Sequence, residues 1–329
     1  MKETHPLRLE SVRKVFGDDN HNAFTDLRRF GGKLYLTFRS CPDGHGIANT
    51  AKVRVLSSAD GAQWRQVFEF SVPDRDTRDP HFLVFKDALF VYTGTWLCPA
   101  GHKAFDINDH LGYAAWSRDG AAWNGPKSLE GTYGHYVWRA AAHGGRAYLC
   151  GRRKRDFAPL PRPEGGDITE SALLESEDGL VWRFRGRFQE EFGDETAFLF
   201  EDDGSILAVA RTLGGRPAQV CRSRPPYAEW TRSDLSRYVG GPLLVKWGER
   251  YLVGGRRMLK GEPPRTVLYW LVDDQLQEAL VLPSGGDNSY PGFSDMGGGR
   301  ALVSYYSCHE CPPDRPDRAC IYLAEVAVD

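Results

Sequence analysis

The chain has 329 residues and a formal net charge of −2, without a long run of one charge sign, which argues against a nucleic-acid partner. No apolar run reaches the roughly 18 residues that a membrane-spanning helix needs, and the N-terminal sequence MKETHPLRLESVRK lacks the apolar core of a signal peptide. Seven scattered cysteines fit free thiols in a reducing compartment better than a disulfide framework. We therefore expect a soluble, cytoplasmic protein with no membrane partner.

Short runs rich in β-branched and aromatic residues, separated by Gly- or Asp-containing turns, fill most of the chain. They form strand–turn–strand pairs of similar length, which span residues 24–39, 81–94, 137–152, 196–211, 241–256 and 291–306. A third strand follows each pair, for example at 52–58, 112–117 and 171–176. This pattern predicts six β-hairpins, each extended by further strands.

The phrase Ser-x-Asp-Gly-x-x-Trp follows three of these third strands at intervals of 59 residues, from Ser58, Ser117 and Ser176. Asp and Ser side chains can hydrogen-bond nearby backbone amides in a tight turn, and Gly tolerates a positive φ angle. The phrase therefore predicts the turn into a fourth strand, a structural element rather than a functional site.

Six four-stranded units of about 45–60 residues are typical of a β-propeller, in which each blade covers the face of its neighbour. The last hairpin is followed by one clear strand, at 320–328, and an early strand at 7–16 is left over. We predict an all-β, six-bladed propeller that forms a single domain over residues 1–329. The N-terminal strand is expected to complete the sixth blade and to close the ring. Two separate β-sandwiches, the alternative, would not explain six matched hairpins.

In a propeller, the starts of the first strands and the ends of the second strands converge around the central funnel. The polar, charged and aromatic side chains expected there are His21, Asn22, Asp26, Arg39, Arg78, Asp79, Tyr136, Trp138, Arg139, Arg152, Glu195, Arg211, Arg256, Tyr290, Tyr305 and His309. Guanidinium groups bind carboxylates through two hydrogen bonds, so several arginines around one pocket favour an anionic ligand. Alternatively, each arginine pairs with an acidic residue and ties neighbouring blades together.

The six units with Ser-x-Asp-Gly-x-x-Trp turns resemble the sialidase (neuraminidase) superfamily and its Asp-box proteins. The whole chain more closely resembles bacterial proteins described as exo-α-sialidase-like or BNR-repeat glycosyl hydrolases. The phrases that carry this resemblance are HNAFTDL, TRDP, VWR, RPPYAEW, GGP, PSGGDNSYPG and SYYSCHE.

Sialidases use a Tyr nucleophile activated by a Glu, an Asp acid/base and three arginines that hold the substrate carboxylate. The resemblance implies Tyr290 as nucleophile, Glu195 as its base and Asp79 as acid/base, with Asp26 as the other candidate acid/base. It also implies Arg211 and Arg256 as two of the three arginines. Sialidases begin their first blade with Arg-Ile-Pro, whereas this chain reads HNAFTD. We therefore expect either that Arg39 or Arg78 replaces the third arginine, or that the ligand is not a sialic acid.

We therefore expect a glycoside hydrolase that cleaves a small, acidic glycoside without a cofactor. One alternative is a propeller lyase acting on uronates, with Tyr136 and Arg152 across one hairpin and His81 or His135 nearby. The other is a non-catalytic sugar-binding propeller, for which the aromatic platforms would be Trp96, Trp138, Tyr305 and Tyr306.

The sequence CHEC at 308–311 raises the question of a metal site, because it brings Cys308, His309 and Cys311 together, with Cys320 beyond. Structural zinc usually needs two paired clusters of ligands, and only one tight cluster is present. The sequence therefore favours a loop with free thiols and no bound metal. His21 and His309 are expected either to hydrogen-bond sugar hydroxyls or to be ordinary buried histidines with satisfied hydrogen bonds.

Overall fold

β-Strands dominate the computed structural model, which describes residues 6–100, 105–157 and 168–328. Strands account for 62% of the structure and helices for 3%. The strands form six four-stranded sheets, and every neighbouring pair within a sheet is antiparallel. The six sheets are the blades of a β-propeller, which confirms the predicted fold.

The strands are numbered in chain order, and the blades are numbered from the first complete hairpin. Blade 1 contains β2 (His21–Phe30), β3 (Lys33–Cys41), β4 (Lys52–Ser58) and β5 (Arg65–Phe70). Blade 2 contains β6 (Arg75–Phe85), β7 (Ala88–Leu97), β8 (Tyr113–Ser117) and β9 (Asn124–Ser128). Blade 3 contains β10 (Tyr136–His143), β11 (Arg146–Lys154), β12 (Thr169–Ser176) and β13 (Trp182–Gln189).

The second half of the ring repeats this order. Blade 4 contains β14 (Gly193–Phe200), β15 (Ile206–Thr212), β16 (Gln219–Ser223) and β17 (Trp230–Asp234). Blade 5 contains β18 (Gly240–Trp247), β19 (Arg250–Arg257), β20 (Arg265–Val272) and β21 (Gln275–Val281). Blade 6 contains β22 (Asn288–Gly297), β23 (Arg300–Ser307), β24 (Cys320–Val328) and β1 (Leu7–Phe16).

Helical structure in the described part of the chain is limited to one-turn 3-10 helices at Ile107–Asp109, Arg155–Phe157 and Leu213–Gly215. Among the described residues, no helix has the length and apolar character needed to cross a membrane. The seven cysteines all have free thiols.

Blade 6 is built from both ends of the chain. β1 is its outermost strand and pairs with β24, with Leu7 opposite Val328 and Phe16 opposite Ile321. This pairing confirms the predicted closure of the ring. β1 is hydrogen-bonded to β24 in blade 6 and continues along the chain into β2 of blade 1, so it links the last blade to the first.

Much of the hydrophobic core lies between the blades, although one cluster also includes Phe24, Trp138 and Tyr290 of the innermost strands. One cluster joins Tyr35 and Val55 of blade 1 to Phe82 of blade 2, and another joins Leu83 of blade 2 to Leu149 of blade 3. All of these residues are buried. Each blade thus buries its apolar face against the next one, which leaves the channel free for polar side chains.

The Ser-x-Asp-Gly phrase forms the turn between the third and fourth strands of its blade, as predicted. The Ser58 hydroxyl accepts a hydrogen bond from the Gly61 amide at 2.8 Å, and the Asp60 carboxylate accepts from the Ala62 and Gln63 amides at 2.8 and 3.0 Å. The Ser117 and Ser176 turns repeat this pattern. These hydrogen bonds give the phrase a structural role.

A β-bulge interrupts the innermost strand of every blade at the same level. The extra residue falls within residues 23–26, 78–81, 137–140, 193–196, 240–243 and 289–292. Three of these bulges place a non-glycine residue in the left-handed region, with φ angles of 62° at Phe24, 52° at Asp79 and 53° at Tyr290. A bulge changes the direction of a side chain and is often found beside a functional site.

Candidate active site

Tyr290 and Glu195, from the bulges of blades 6 and 4, are in direct contact. The Tyr290 hydroxyl donates a hydrogen bond to Glu195 Oε1. Glu195 Oε2 accepts from Arg211 Nη1 at 2.9 Å and from the Gly241 amide at 3.2 Å. Burial alone would raise the pKa of Glu195, but the Arg211 charge and the Tyr290 hydrogen bond hold it below its usual value. Glu195 is therefore an ionised acceptor for the Tyr290 proton.

The Tyr290 ring is held by aromatic neighbours. Its centroid lies 4.8 Å from that of Phe24 and 6.0 Å from those of Trp138 and Tyr306. Burial, and then the negative charges of Glu195 and Asp79, raise the pKa of the Tyr290 hydroxyl well above its usual value. Tyr290 is consequently protonated at rest, and its oxygen can become nucleophilic only by transferring that proton to Glu195.

Asp79, from the bulge of blade 2, has different surroundings. The Tyr136 hydroxyl donates a hydrogen bond to Asp79 Oδ2, whereas Oδ1 makes no hydrogen bond to any described residue. Burial raises the pKa of Asp79 to about 6, with Arg78 opposing the shift and Glu195 adding to it. The pKa values of Asp79 and Glu195 are thus displaced in opposite directions. This separation suits one carboxyl group to act as a proton donor and the other as a base.

Three arginines near Tyr290 and Glu195 are each bound to an acidic residue and remain partly exposed. Arg211 Nε lies 3.0 Å from Asp194 Oδ2, and Arg152 contacts the other oxygen of the same carboxylate. Arg256 Nη2 lies 3.0 Å from Asp287 Oδ1. The exposed fractions of the Arg152, Arg211 and Arg256 side chains are 15%, 26% and 21%. The acid pairing agrees with the structural interpretation of these arginines, and their partial exposure leaves the binding of an anionic ligand as a prediction.

Arg39 has no contact with the channel, contrary to its predicted role in holding the substrate. It is fully buried, and its guanidinium binds Asp76 at 3.0 and 3.2 Å and the carbonyl oxygens of Gly44 and Gly46 at 3.0 and 2.8 Å. With these partners, Arg39 has a structural role. Arg78 lies nearer the site, where it stacks over the Phe24 ring at 5.1 Å.

Arg139 crosses the channel and ties several blades together. It donates hydrogen bonds to the carbonyl oxygens of Pro242 at 2.8 Å and Pro291 at 2.7 Å, and its Nη1 lies 3.4 Å from Asp26. Asp26 also accepts from the Phe82 amide at 2.8 Å. Although burial opposes the change, His81 and Arg139 hold the pKa of Asp26 below its usual value. Asp26 is therefore a poor proton donor, and Asp79 remains the candidate acid.

Four other predicted residues face away from Tyr290 or lack the exposure to bind a ligand. Trp138 is only 1% exposed and packs edge-on against the Tyr290 ring. The Asn22 amide donates to Asp18 and to backbone carbonyl oxygens. The Tyr305 hydroxyl donates to the Pro283 carbonyl oxygen at 2.8 Å, and the His309 ring lies against Tyr322 at 4.6 Å. These contacts assign the four residues to the packing of the blades and loops.

The sequence analysis missed several side chains that line the site. Tyr306 was predicted only as an aromatic platform, yet its hydroxyl contacts Arg256 and Asp287, while its neighbour Tyr305 points to the other face of β23. Asp194 and Asp287 stand beside the predicted Glu195 and Tyr290 in the phrases GDET and GGDNSYPG, and this proximity was the available signal. His21, which was predicted, contacts Asp287 at 2.9 Å.

A cavity of about 850 Å³ opens at the opposite end of the channel. Its walls are the later parts of the innermost strands, and Asp26 and Arg139 lie at its inner end. None of Asp79, Glu195 and Tyr290 lines it. We place the candidate active site at the end of the channel where the innermost strands begin. Asp79 and Glu195, the two carboxyl groups whose pKa values are shifted in opposite directions, lie there.

Comparison with known proteins shows the fold. No protein-family model matches the sequence, and no curated protein matches it either. A protein of unknown function from Dyadobacter fermentans superposes with a TM-score of 0.81 at 19% identity, covering 98% of this chain and 100% of that chain. Trypanosoma rangeli sialidase in complex with the inhibitor DANA gives 0.67 at 15% identity, covering 93% of this chain and 55% of the sialidase. The phage phi92 endosialidase gives 0.67 at 10% identity, covering 97% and 69%.

These structural neighbours include six-bladed propellers of the sialidase type, as the sequence resemblance implied. The identities of 10–19% establish a shared fold and no more. This chain spans about half the length of the trypanosomal sialidase. Function must therefore be argued from the site itself.

Proposed function

We propose that this protein is a retaining glycoside hydrolase that cleaves a small, acidic glycoside, with Tyr290 as its nucleophile. The observation that carries the proposal is the Tyr290–Glu195 hydrogen bond, in which a buried phenol faces an ionised carboxylate held by Arg211. A nucleophile bonded to a base that a third group orients is the arrangement needed for covalent catalysis.

The residues support a two-step reaction. In the first step, Glu195 accepts the Tyr290 proton as the phenolic oxygen attacks the anomeric carbon, and Asp79 protonates the departing glycosidic oxygen. In the second step, the Asp79 carboxylate takes a proton from water, the water oxygen attacks the anomeric carbon, and the proton on Glu195 returns to Tyr290. The net reaction adds one water and retains the anomeric configuration.

The proposal of an acidic substrate rests on the arginines beside Tyr290. Arg152, Arg211 and Arg256 keep part of their side-chain surface exposed while bound to Asp194, Glu195 and Asp287. A substrate carboxylate can bind this surface. A neutral phenol is also a better nucleophile than a carboxylate toward a substrate whose own negative charge would repel one.

The lyase alternative has less support in this geometry. Burial, and then the Asp79 charge, raise the pKa of Tyr136 well above its usual value, so Tyr136 stays protonated. Burial lowers the pKa of His81 and of His135 to about 4, but these side chains are only 1% and 3% exposed. These exposures resemble those of Asp79 and Tyr290, so the better support for hydrolysis comes from Glu195, an ionised base that Arg211 holds beside Tyr290.

The proposal is tested by incubating the protein with a panel of sialyl, uronyl and neutral oligosaccharides and weighing the products by mass spectrometry. We expect products that carry one added water, and we expect the Tyr290→Phe variant to form none. Tyr305→Phe is the matched control, because it removes a buried tyrosine hydroxyl from the next strand of the same blade. Cleavage without added water, or unchanged cleavage by Tyr290→Phe, would refute the proposal. Glycan binding without cleavage would indicate a sugar-binding propeller instead.

A further inference from the structure

Two histidines and an aspartate that are far apart in the sequence meet beside the candidate active site. His21 begins β2, His45 lies in the loop between β3 and β4, and Asp287 directly precedes β22. One ring nitrogen of each histidine and one carboxylate oxygen of Asp287 all lie within 4.8 Å of one another. We propose that these three residues bind a divalent transition-metal cation of the zinc type.

Both imidazoles are directed at the same oxygen. His21 Nε2 lies 2.9 Å and His45 Nδ1 lies 2.5 Å from Asp287 Oδ2. Metal–ligand bonds of about 2.0–2.2 Å allow two ligand atoms to be up to about 4.3 Å apart, so both separations fall within reach of one ion. When a cation replaces the proton between His21 Nε2 and Asp287, the ring proton moves to Nδ1, which makes no hydrogen bond to any described residue.

The carboxylate is oriented by groups on its other side. Asp287 Oδ1 accepts hydrogen bonds from Arg256 Nη2 at 3.0 Å and from the Tyr306 hydroxyl at 2.9 Å. A ligating carboxylate is commonly held in this way by hydrogen bonds to its second oxygen. Because Oδ1 is occupied, Oδ2 is the oxygen left for a metal.

The loop that carries His45 is fixed by two buried arginines. Arg39 donates to the carbonyl oxygens of Gly44 and Gly46, and Arg78 donates to that of His45 at 2.7 Å. The His45 side chain nevertheless stays 52% exposed. Core packing does not need an exposed histidine on an immobilised backbone, whereas a metal ligand needs both a fixed position and a path for the ion.

The ligand types select the class of metal. Two imidazole nitrogens and one carboxylate oxygen suit Zn²⁺, Co²⁺ or Ni²⁺, while Ca²⁺ and Mg²⁺ prefer an all-oxygen shell. Three protein ligands leave at least one position open to water or to a ligand oxygen. The cluster contacts the same aromatic residues as Tyr290, since His45 lies 5.4 Å from Phe24 and His21 lies 6.1 Å from Tyr306, measured between ring centroids. A ligand in the funnel could therefore reach this position.

The test measures metal binding and does not depend on any catalytic activity. The purified full-length protein is stripped with a chelator and titrated with Zn²⁺ by calorimetry. We expect one Zn²⁺ per chain and negligible heat with Mg²⁺ or Ca²⁺. The exposed His45→Ala variant should bind Zn²⁺ at least about 100-fold more weakly while keeping its thermal unfolding temperature.

Cys311→Ser is the matched control, because Cys308, His309 and Cys311 form the other candidate cluster. Its Zn²⁺ affinity should equal that of the unaltered protein, and Co²⁺ added to the unaltered protein should show no thiolate charge-transfer band. The proposal is overturned if the unaltered protein binds no Zn²⁺, or if His45→Ala binds it equally well. Loss of binding in Cys311→Ser, together with a thiolate band, would also overturn it.

Discussion

Asp79 and Tyr290 occupy the same position of the bulge in blades 2 and 6, and both have a left-handed backbone, with φ angles of 52° and 53°. Such conformations cost roughly 1–3 kcal/mol for a non-glycine residue and persist only where the surrounding structure enforces them. Here the enforcing structure is the β-bulge, from which Tyr290 donates its hydrogen bond to Glu195. Burial, and then the negative charge of Glu195, raise the pKa of both groups.

The Tyr290–Glu195 pair should behave as one catalytic unit. We expect Glu195→Gln and Tyr290→Phe each to lower kcat by roughly 10³-fold or more, and the double variant to lose little beyond either single variant, because each change disables the same proton transfer. Steady-state kinetics on a substrate found in the oligosaccharide panel would measure this. Losses that multiply in the double variant would show that the two residues act independently.

Tyr136 should act as a positioning residue that tunes Asp79. Its hydrogen bond to Asp79 lowers the pKa of that carboxyl group, so Tyr136→Phe should move the pKa upward from about 6. Since the first step needs protonated Asp79, activity should decline as pH rises through about 6, and in Tyr136→Phe the decline should occur at higher pH. The pH dependence of kcat/KM measures this shift, with Tyr305→Phe as the control. If the decline in kcat/KM stays at the same pH in Tyr136→Phe, or moves to lower pH, the assigned role is contradicted.

Asp79 should reduce stability at neutral pH. Its folded-state pKa of about 6 lies above the ordinary value of 3.8, so its favourable contribution is complete below pH 3.8 and is lost as pH rises through about 6. Asp79→Asn should therefore be more stable than the unaltered protein at pH 7–8, by up to about 3 kcal/mol, with the gap closing toward pH 4. Thermal unfolding followed by circular dichroism across this pH range would test it. A variant that is less stable at pH 7 would refute the prediction.

Arg39 and Arg211 should differ in what their loss affects. Arg39→Met removes the nearest cation from the buried Asp76 carboxylate and leaves it Arg78 at 3.6 Å, which should cost up to about 3–5 kcal/mol of folding free energy. Arg211→Lys keeps a positive charge at a partly exposed position, so the fold should survive while KM rises. Chemical denaturation and kinetics on the two variants separate these effects. Equal stability of the two variants would contradict the structural role given to Arg39.

The sequence alone was sufficient to predict the blades and to select Tyr290, Glu195 and Asp79 as candidates. Each lies where an innermost strand begins, and strand starts converge in any propeller. The direction of individual side chains was harder to predict from the sequence. The prediction named both Tyr305 and Tyr306, but only the Tyr306 hydroxyl contacts Arg256 and Asp287, because neighbouring residues of a strand point to opposite faces.

The periodic hairpins and the Ser-x-Asp-Gly turns determined the six-bladed ring and the place of the N-terminal strand, because local hydrogen bonding and alternating apolar residues encode them. The tertiary structure alone decided which arginines reach solvent and which, like Arg39, are enclosed by partners. It also decided the meeting of His21, His45 and Asp287. The physical reason is that hairpin patterns depend on nearby residues, whereas charge pairing and metal ligation depend on distances between blades that no local pattern specifies.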